Sequence, residues 1–212
     1  MTVHKWLVGE EITADRLNSH DIKLGDIIFR TMFESLDGYQ TTVNCNISFE
    51  RLELFTDGTL NNQAWVRKMP DNFPLASWDK DRELHLMVKT VYLTLQEIWL
   101  IMGQGTPTLT TKRHIGWKIV NDTLYGTVAD GTTEATLNCG TITADYYNLK
   151  IKYEAGVEAE FFVDGVSKGT ISSNLPSGTT YANRVVSIQM IAKDANTKDI
   201  FLTYWAFWQR GD

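Results

Sequence analysis

The stretch His114–Gly140, HIGWKIVNDTLYGTVADGTTEATLNCG, decides how the rest of the chain is read. Short apolar-rich runs flank Asn121-Asp122, and two more flank Asp130-Gly131. Asn and Asp tolerate the positive φ that a tight hairpin turn demands, and Gly adopts it without steric cost. The stretch is therefore a predicted three-stranded meander. A second follows in NLKIKYEAGVEAEFFVDGVSKGTIS, with turns at Ala155-Gly156 and Asp164-Gly165. Side chains alternate across a strand, so Ala159, Phe161 and Val163 share one face, and Glu158, Glu160 and Phe162 the other.

Outward from these meanders the same period holds. NISFERLELFTD reads as a strand-like run with mixed alternation, ending at the Asp57-Gly58 turn. QAWVRKM and ELHLMVKTVYLTLQEIWLIMGQG supply further runs, separated by the turn-rich PDNFPLASWDKD. RVVSIQMIAK and DIFLTYWAFWQ, joined by DANTK, close the chain. About a dozen short strands with frequent turn signals predict an all-β antiparallel sandwich. No run alternates strand with a helix of ten residues, which argues against a parallel α/β sheet.

At 212 residues the chain suits one large β domain, and its 43% hydrophobic content describes a globular core rather than a disordered tail. A net charge of −6, with basic residues only in isolated pairs such as Arg67-Lys68 and Lys112-Arg113, argues against a nucleic-acid surface. The opening MTVHKWLVGEEIT has no apolar signal region, and VYLTLQEIWLIMG, interrupted by Gln96 and Glu97, is too short to cross a bilayer. A soluble protein with no membrane partner is expected. Cys45 and Cys139 stand alone, without a CxxC pair, and are expected to be small buried thiols.

GEEITADRLNSHD, residues 9–21, differs from everything after it. Thr13 is placed to cap a short helix, with Ile12 and Leu17 in the positions of a hydrophobic staple. A helix of about two turns is unstable without a surface to pack on. Residues 1–36 are accordingly expected to form an attachment or oligomerisation segment using Trp6, Leu7, Ile12 and Leu17, with the sandwich spanning 37–212.

GWKIVNDTLYGT, EFFVDGVSKGTI and the following NLPSG resemble elements of the concanavalin A-like, laminin-G-like jelly-roll domains found in bacteriophage virion proteins. WLVGEEITADRLN is similar to a segment that recurs near the N-terminus of phage tail-fibre and other virion proteins. The resemblance implies a jelly roll that is a non-enzymatic fibre or decoration subunit of a virion, assembled in the host cytoplasm. Its implied partners are other virion proteins and further copies of itself, a trimer being favoured. The alternative is a carbohydrate-binding module that recognises a host-surface glycan. A glycanase is the third reading.

No catalytic residue, metal ligand or cofactor is expected. Glu158 and Glu160 share a face, but the middle Asp and final Glu of the E-x-D-x-x-E arrangement used by sandwich-fold glycanases are missing. His4, His20, His85 and His114 lack metal-ligand spacing. Gly103-Gln104-Gly105 opens no helix and is no phosphate loop. In YWAFWQ, Tyr204, Ala206 and Trp208 fall opposite Trp205 and Phe207, so both faces of that strand need cover. Trp205 and Trp208, with Phe73 and Trp78 of the NFPLASW loop, are the candidate glycan or partner contacts.

Overall fold

A computed structural model describes residues 27–31, 39–41, 45–48, 51–68, 77–103, 112–178 and 186–209. The first strands are β1 (Ile27–Thr31), β2 (Tyr39–Thr41), β3 (Cys45–Ser48), β4 (Arg51–Phe55) and β5 (Gln63–Lys68). Next come β6 (Arg82–Thr90), β7 (Gln96–Gly103), β8 (His114–Val120), β9 (Thr123–Ala129) and β10 (Glu134–Thr141). The last are β11 (Tyr146–Glu154), β12 (Glu158–Val163), β13 (Val166–Ile171), β14 (Val186–Ala192) and β15 (Asp199–Gln209). No helix occurs among the described residues.

Both predicted meanders are present, β8-β9-β10 and β11-β12-β13, and they lie in different sheets. Asn121 takes φ 58° between β8 and β9, while Asp164 and Gly165 take 51° and 80° between β12 and β13. Sheet I runs β13-β12-β11-β6-β15-β4-β3, and β1 pairs the C-terminal half of β15. Sheet II runs β10-β9-β8-β7-β14-β5-β2. Every pairing is antiparallel.

The inner faces bury one continuous apolar core. Leu84, Leu86 and Val88 of β6 and Phe161 of β12 meet Leu100 of β7 and Trp117 of β8 there. Burying each such side chain contributes about 1.5–3 kcal/mol. Trp117 and Phe161 pack edge to face, centroids 5.1 Å apart. A Cβ on Gly126 would stand 2.7 Å from the Phe161 ring, so this position admits glycine alone without displacing the ring.

Three local features add to the sequence reading. NISFERLELFTD is a hairpin, with Ser48 opposite Arg51, and the reversal accounts for its mixed alternation. β15 carries a register shift between Leu202 and Tyr204, after which Trp205 and Phe207 face the core. Within the segment 1–36, Ile27–Thr31 form β1 and pair with Trp205–Gln209. Trp6, Leu7, Ile12 and Leu17 lie outside the described residues.

Candidate functional site

In β7, Ile98, Leu100 and Met102 join the core, which puts Glu97, Trp99 and Ile101 on the outer face of sheet II. The same alternation in β14 puts Ser187, Gln189 and Ile191 outside, opposite Ile188 and Met190. Cross-strand register then lines up Trp65, Gln189, Trp99, Lys118, Tyr125 and Asn138 across six neighbouring strands. Adjacent strands lie about 4.8 Å apart, so the row spans about 24 Å.

Trp99 and Ile101 form a small buried cluster of their own, separate from the main core. The Trp99 indole is held on all sides. Its Nε1–H donates to Glu97 Oε1 at 2.6 Å, and Glu97 Oε2 is 3.0 Å from Lys193 Nζ. Lys118 Nζ lies 4.4 Å from the ring centroid, and the His114 imidazole meets the indole nearly perpendicularly at 5.6 Å. Lys118 is also 3.4 Å from both carboxylate oxygens of Glu134, which accepts a 2.7 Å bond from the Thr127 hydroxyl. Trp65 and Tyr125 flank this centre half-buried.

Beside Trp99, the Gln189 amide donates to Gln63 Oε1 at 2.7 Å. Gln189 Oε1 and the Ser187 hydroxyl are buried with no hydrogen-bond partner among the described residues. A buried polar atom left unpaired costs about 1–3 kcal/mol. Aromatic rings, amides, a hydroxyl, an ammonium and carboxylates converge here. Trp99, Ser187 and Gln189 are themselves buried, so the accessible faces of the row are those of half-buried Trp65 and Tyr125, which can stack on an apolar ring face.

The residues singled out from the sequence lie elsewhere. Trp78 is only 2% exposed. Its ring sits under the Arg82 guanidinium at 4.2 Å and edge-on to Tyr153, whose hydroxyl is 3.0 Å from the Trp78 carbonyl. It lies outside the strands, as expected, but it plugs the end of the core and offers no face to a ligand. Trp205 is fully buried on the inner face of sheet I. Trp208 is half-buried on the outer face of that sheet, opposite Glu83. Phe73 lies outside the described residues.

Other expected placements also acquire surroundings. Glu158 and Glu160 stand on the outer face of sheet I, where Glu160 accepts a 2.7 Å bond from Ser167. Cys139 is a free thiol only partly buried, because edge strand β10 is covered on one side, and that burial pushes its pKa up. Among the described residues no group of three or more His, Cys, Asp or Glu could hold a metal ion. No described helix is long and apolar enough to cross a membrane.

No protein-family model and no curated protein sequence matches the chain. Solved structures do. A protein of unknown function from Shewanella oneidensis MR-1 superposes with TM-score 0.65 at 14% identity, over 95% of this chain and 96% of that one. The carbohydrate recognition domain of Emp47p gives 0.60 at 12%, over 82% and 89%. The Bacillus licheniformis beta-glucanase gives 0.63 at 10%, over 88% and 98%. The fold is the concanavalin A-like jelly roll. At these identities the likeness extends to the fold alone.

Sequence reading passed over Trp65, Trp99, Lys118 and Gln189. The signal was present within each strand: QAWVRK, QEIWLIMG and VSIQMIA each set a polar or aromatic series against an apolar one. That these series share one face follows only from the pairing of β5 with β14 and β14 with β7, partners far apart in sequence.

Proposed function

We propose that this chain is a non-enzymatic glycan-recognition sandwich whose ligand lies across the outer face of sheet II, displayed on a bacteriophage virion. The observation that carries the glycan reading is the pair of buried, unpartnered acceptor groups, Gln189 Oε1 and Ser187 Oγ, beside the Trp65–Gln189–Trp99–Lys118–Tyr125 row. Both atoms are closed off from solvent, so sugar hydroxyls would supply the missing donors once the side chains above them move aside, while Trp65 and Tyr125 provide stacking faces. The Lys118 side chain covers Trp99 and is the flexible element a ligand would displace.

The non-enzymatic part is supported by the carboxylates of this face. Glu97 and Glu134 are each engaged by a lysine, and they stand on β7 and β10. The Trp99 indole, bonded to Glu97, and the Lys118 ammonium, bonded to Glu134, stand between the two carboxylates. The virion setting is supported by the N-terminal segment WLVGEEITADRLN and its similarity to phage tail-fibre and other virion proteins. Other virion proteins and a host-surface glycan are the partners this reading implies, in a virion assembled in the host cytoplasm.

A glycan array tests the reading. Binding to a defined glycan is expected, lost in Trp65→Ala and kept in Trp208→Ala, with unchanged melting temperatures. A blank array, or binding lost only through Trp208, overturns it.

A further inference from the structure

His114 is fully buried at the edge of the Trp99 cluster, and both its ring nitrogens are committed. Nδ1 lies 2.7 Å from the Lys112 carbonyl oxygen, which can only accept. The nitrogen must therefore carry a proton. Nε2 lies 3.0 Å from Thr127 Oγ1, whose single hydrogen is directed at Glu134 Oε1 2.7 Å away. A hydroxyl that gives its hydrogen to a carboxylate can only accept from the imidazole, so in that arrangement Nε2 carries a proton as well.

The 2.7 Å between Thr127 Oγ1 and Glu134 Oε1 requires a hydrogen between the two oxygens, which excludes a neutral ring that takes the Thr127 hydrogen beside an ionised Glu134, and two arrangements remain. Either the imidazole is charged and Glu134 is a carboxylate, or Glu134 carries the proton and the Thr127 hydroxyl turns toward a neutral ring. Lys118 decides between them, because its ammonium is equidistant, at 3.4 Å, from both Glu134 oxygens. That geometry suits a carboxylate. We infer that His114 is an imidazolium at neutral pH, joined through the Thr127 hydroxyl to Glu134 in a buried relay that positions Lys118 over Trp99.

The other charged groups nearby are consistent with that balance. Arg113 turns its Nε to the Asp130 carbonyl at 3.1 Å, and the Asp130 carboxylate is occupied by Thr132 and Thr133. Glu97, on the far side of Trp99, is paired with Lys193. Glu134 is thus the carboxylate that the relay reaches among the described residues. Burial disfavours the charged ring, and the assignment requires that the bonds only a charged ring can give to the Lys112 carbonyl and the Thr127 hydroxyl outweigh it; the stability they contribute is then complete below the ordinary value of about 6.5 and is lost as pH rises through the folded midpoint. Loss of the proton frees the Thr127 hydrogen to turn to Nε2, removing one of the two holds on Glu134 and loosening Lys118.

The assignment is independent of any ligand, and nitrogen-resolved NMR of the histidine rings of the full chain across a pH series tests it. Both ring nitrogens of His114 are expected to be protonated at neutral pH, with a midpoint above about 6.5. The Trp99 indole resonance should move with the same midpoint. Thr127→Val and Glu134→Gln should each lower the midpoint, whereas Thr127→Ser, which keeps the hydroxyl, should preserve it. A wild-type His114 carrying one ring proton at neutral pH, or a midpoint unmoved by both Thr127→Val and Glu134→Gln, overturns the assignment.

Discussion

At the scale of single residues, Glu83 shows how the outer face of sheet I is held. Burial alone would raise its carboxyl, but hydrogen bonds from His85 and Lys150, the latter at 3.0 Å, outweigh that and hold its pKa at about 2. A depressed carboxylate contributes stability above its unfolded value, and the contribution is lost as pH falls through about 2. The Glu83 side chain is 32% exposed. Screening at that exposure reduces the full linkage energy to about 1–2 kcal/mol. Asp130, held at about 2 chiefly by the Thr133 and Thr132 bonds, acts in the same direction. Melting curves between neutral pH and pH about 2 should therefore show Glu83→Gln less stable at neutral pH and less sensitive to acid than the wild type. Equal acid sensitivity in the two proteins would contradict this account of Glu83.

At the scale of elements, the two meanders were legible because their turns are encoded by adjacent residues, Asn121-Asp122 and Asp164-Gly165. Their faces were legible because the side-chain period is two. The alternation of Ala159, Phe161 and Val163 against Glu158, Glu160 and Phe162 is the observed burial pattern. The candidate site was not legible in this way. It depends on β5, β14, β7 and β8 lying side by side, and no local signal specifies that order. Trp78 was misplaced for a related reason: a turn-rich loop is read as exposed, whereas this one folds its ring over Tyr153 and under Arg82. The pairing of β1 with β15 makes a further prediction. Deleting residues 1–26 should leave the cooperative melt intact, whereas deleting 1–36 strips five register pairs from Trp205–Gln209. At about 0.2–1 kcal/mol for each pair, the larger deletion should cost about 2–3 kcal/mol, or roughly 5–10 °C in Tm. Indistinguishable melts would mean that β1 contributes nothing to the sandwich.

At the scale of the whole molecule, the sandwich leaves two outer faces with different characters. Sheet I presents half-buried Tyr204 and Trp208 beside charged pairs, and sheet II presents half-buried Trp65 and Tyr125 on either side of buried Gln189 and Trp99. The division of labour we propose gives sheet II to the glycan and leaves self-association to sheet I and the N-terminal segment. Repeated virion parts usually close with point-group symmetry. Light scattering is accordingly expected to return three times the 24.1 kDa chain mass, and a monomer at high concentration would count against the virion-subunit part of the proposal. The glycan claim is tested most directly by following the indole N–H resonances of the seven tryptophans during titration with a glycan that binds the full chain. The account predicts that Trp65 and Trp99 shift in proportion to occupancy while Trp78, Trp117 and Trp205 in the core and Trp208 on sheet I stay in place. Shifts centred on Trp208, with Trp65 and Trp99 unmoved, would contradict it.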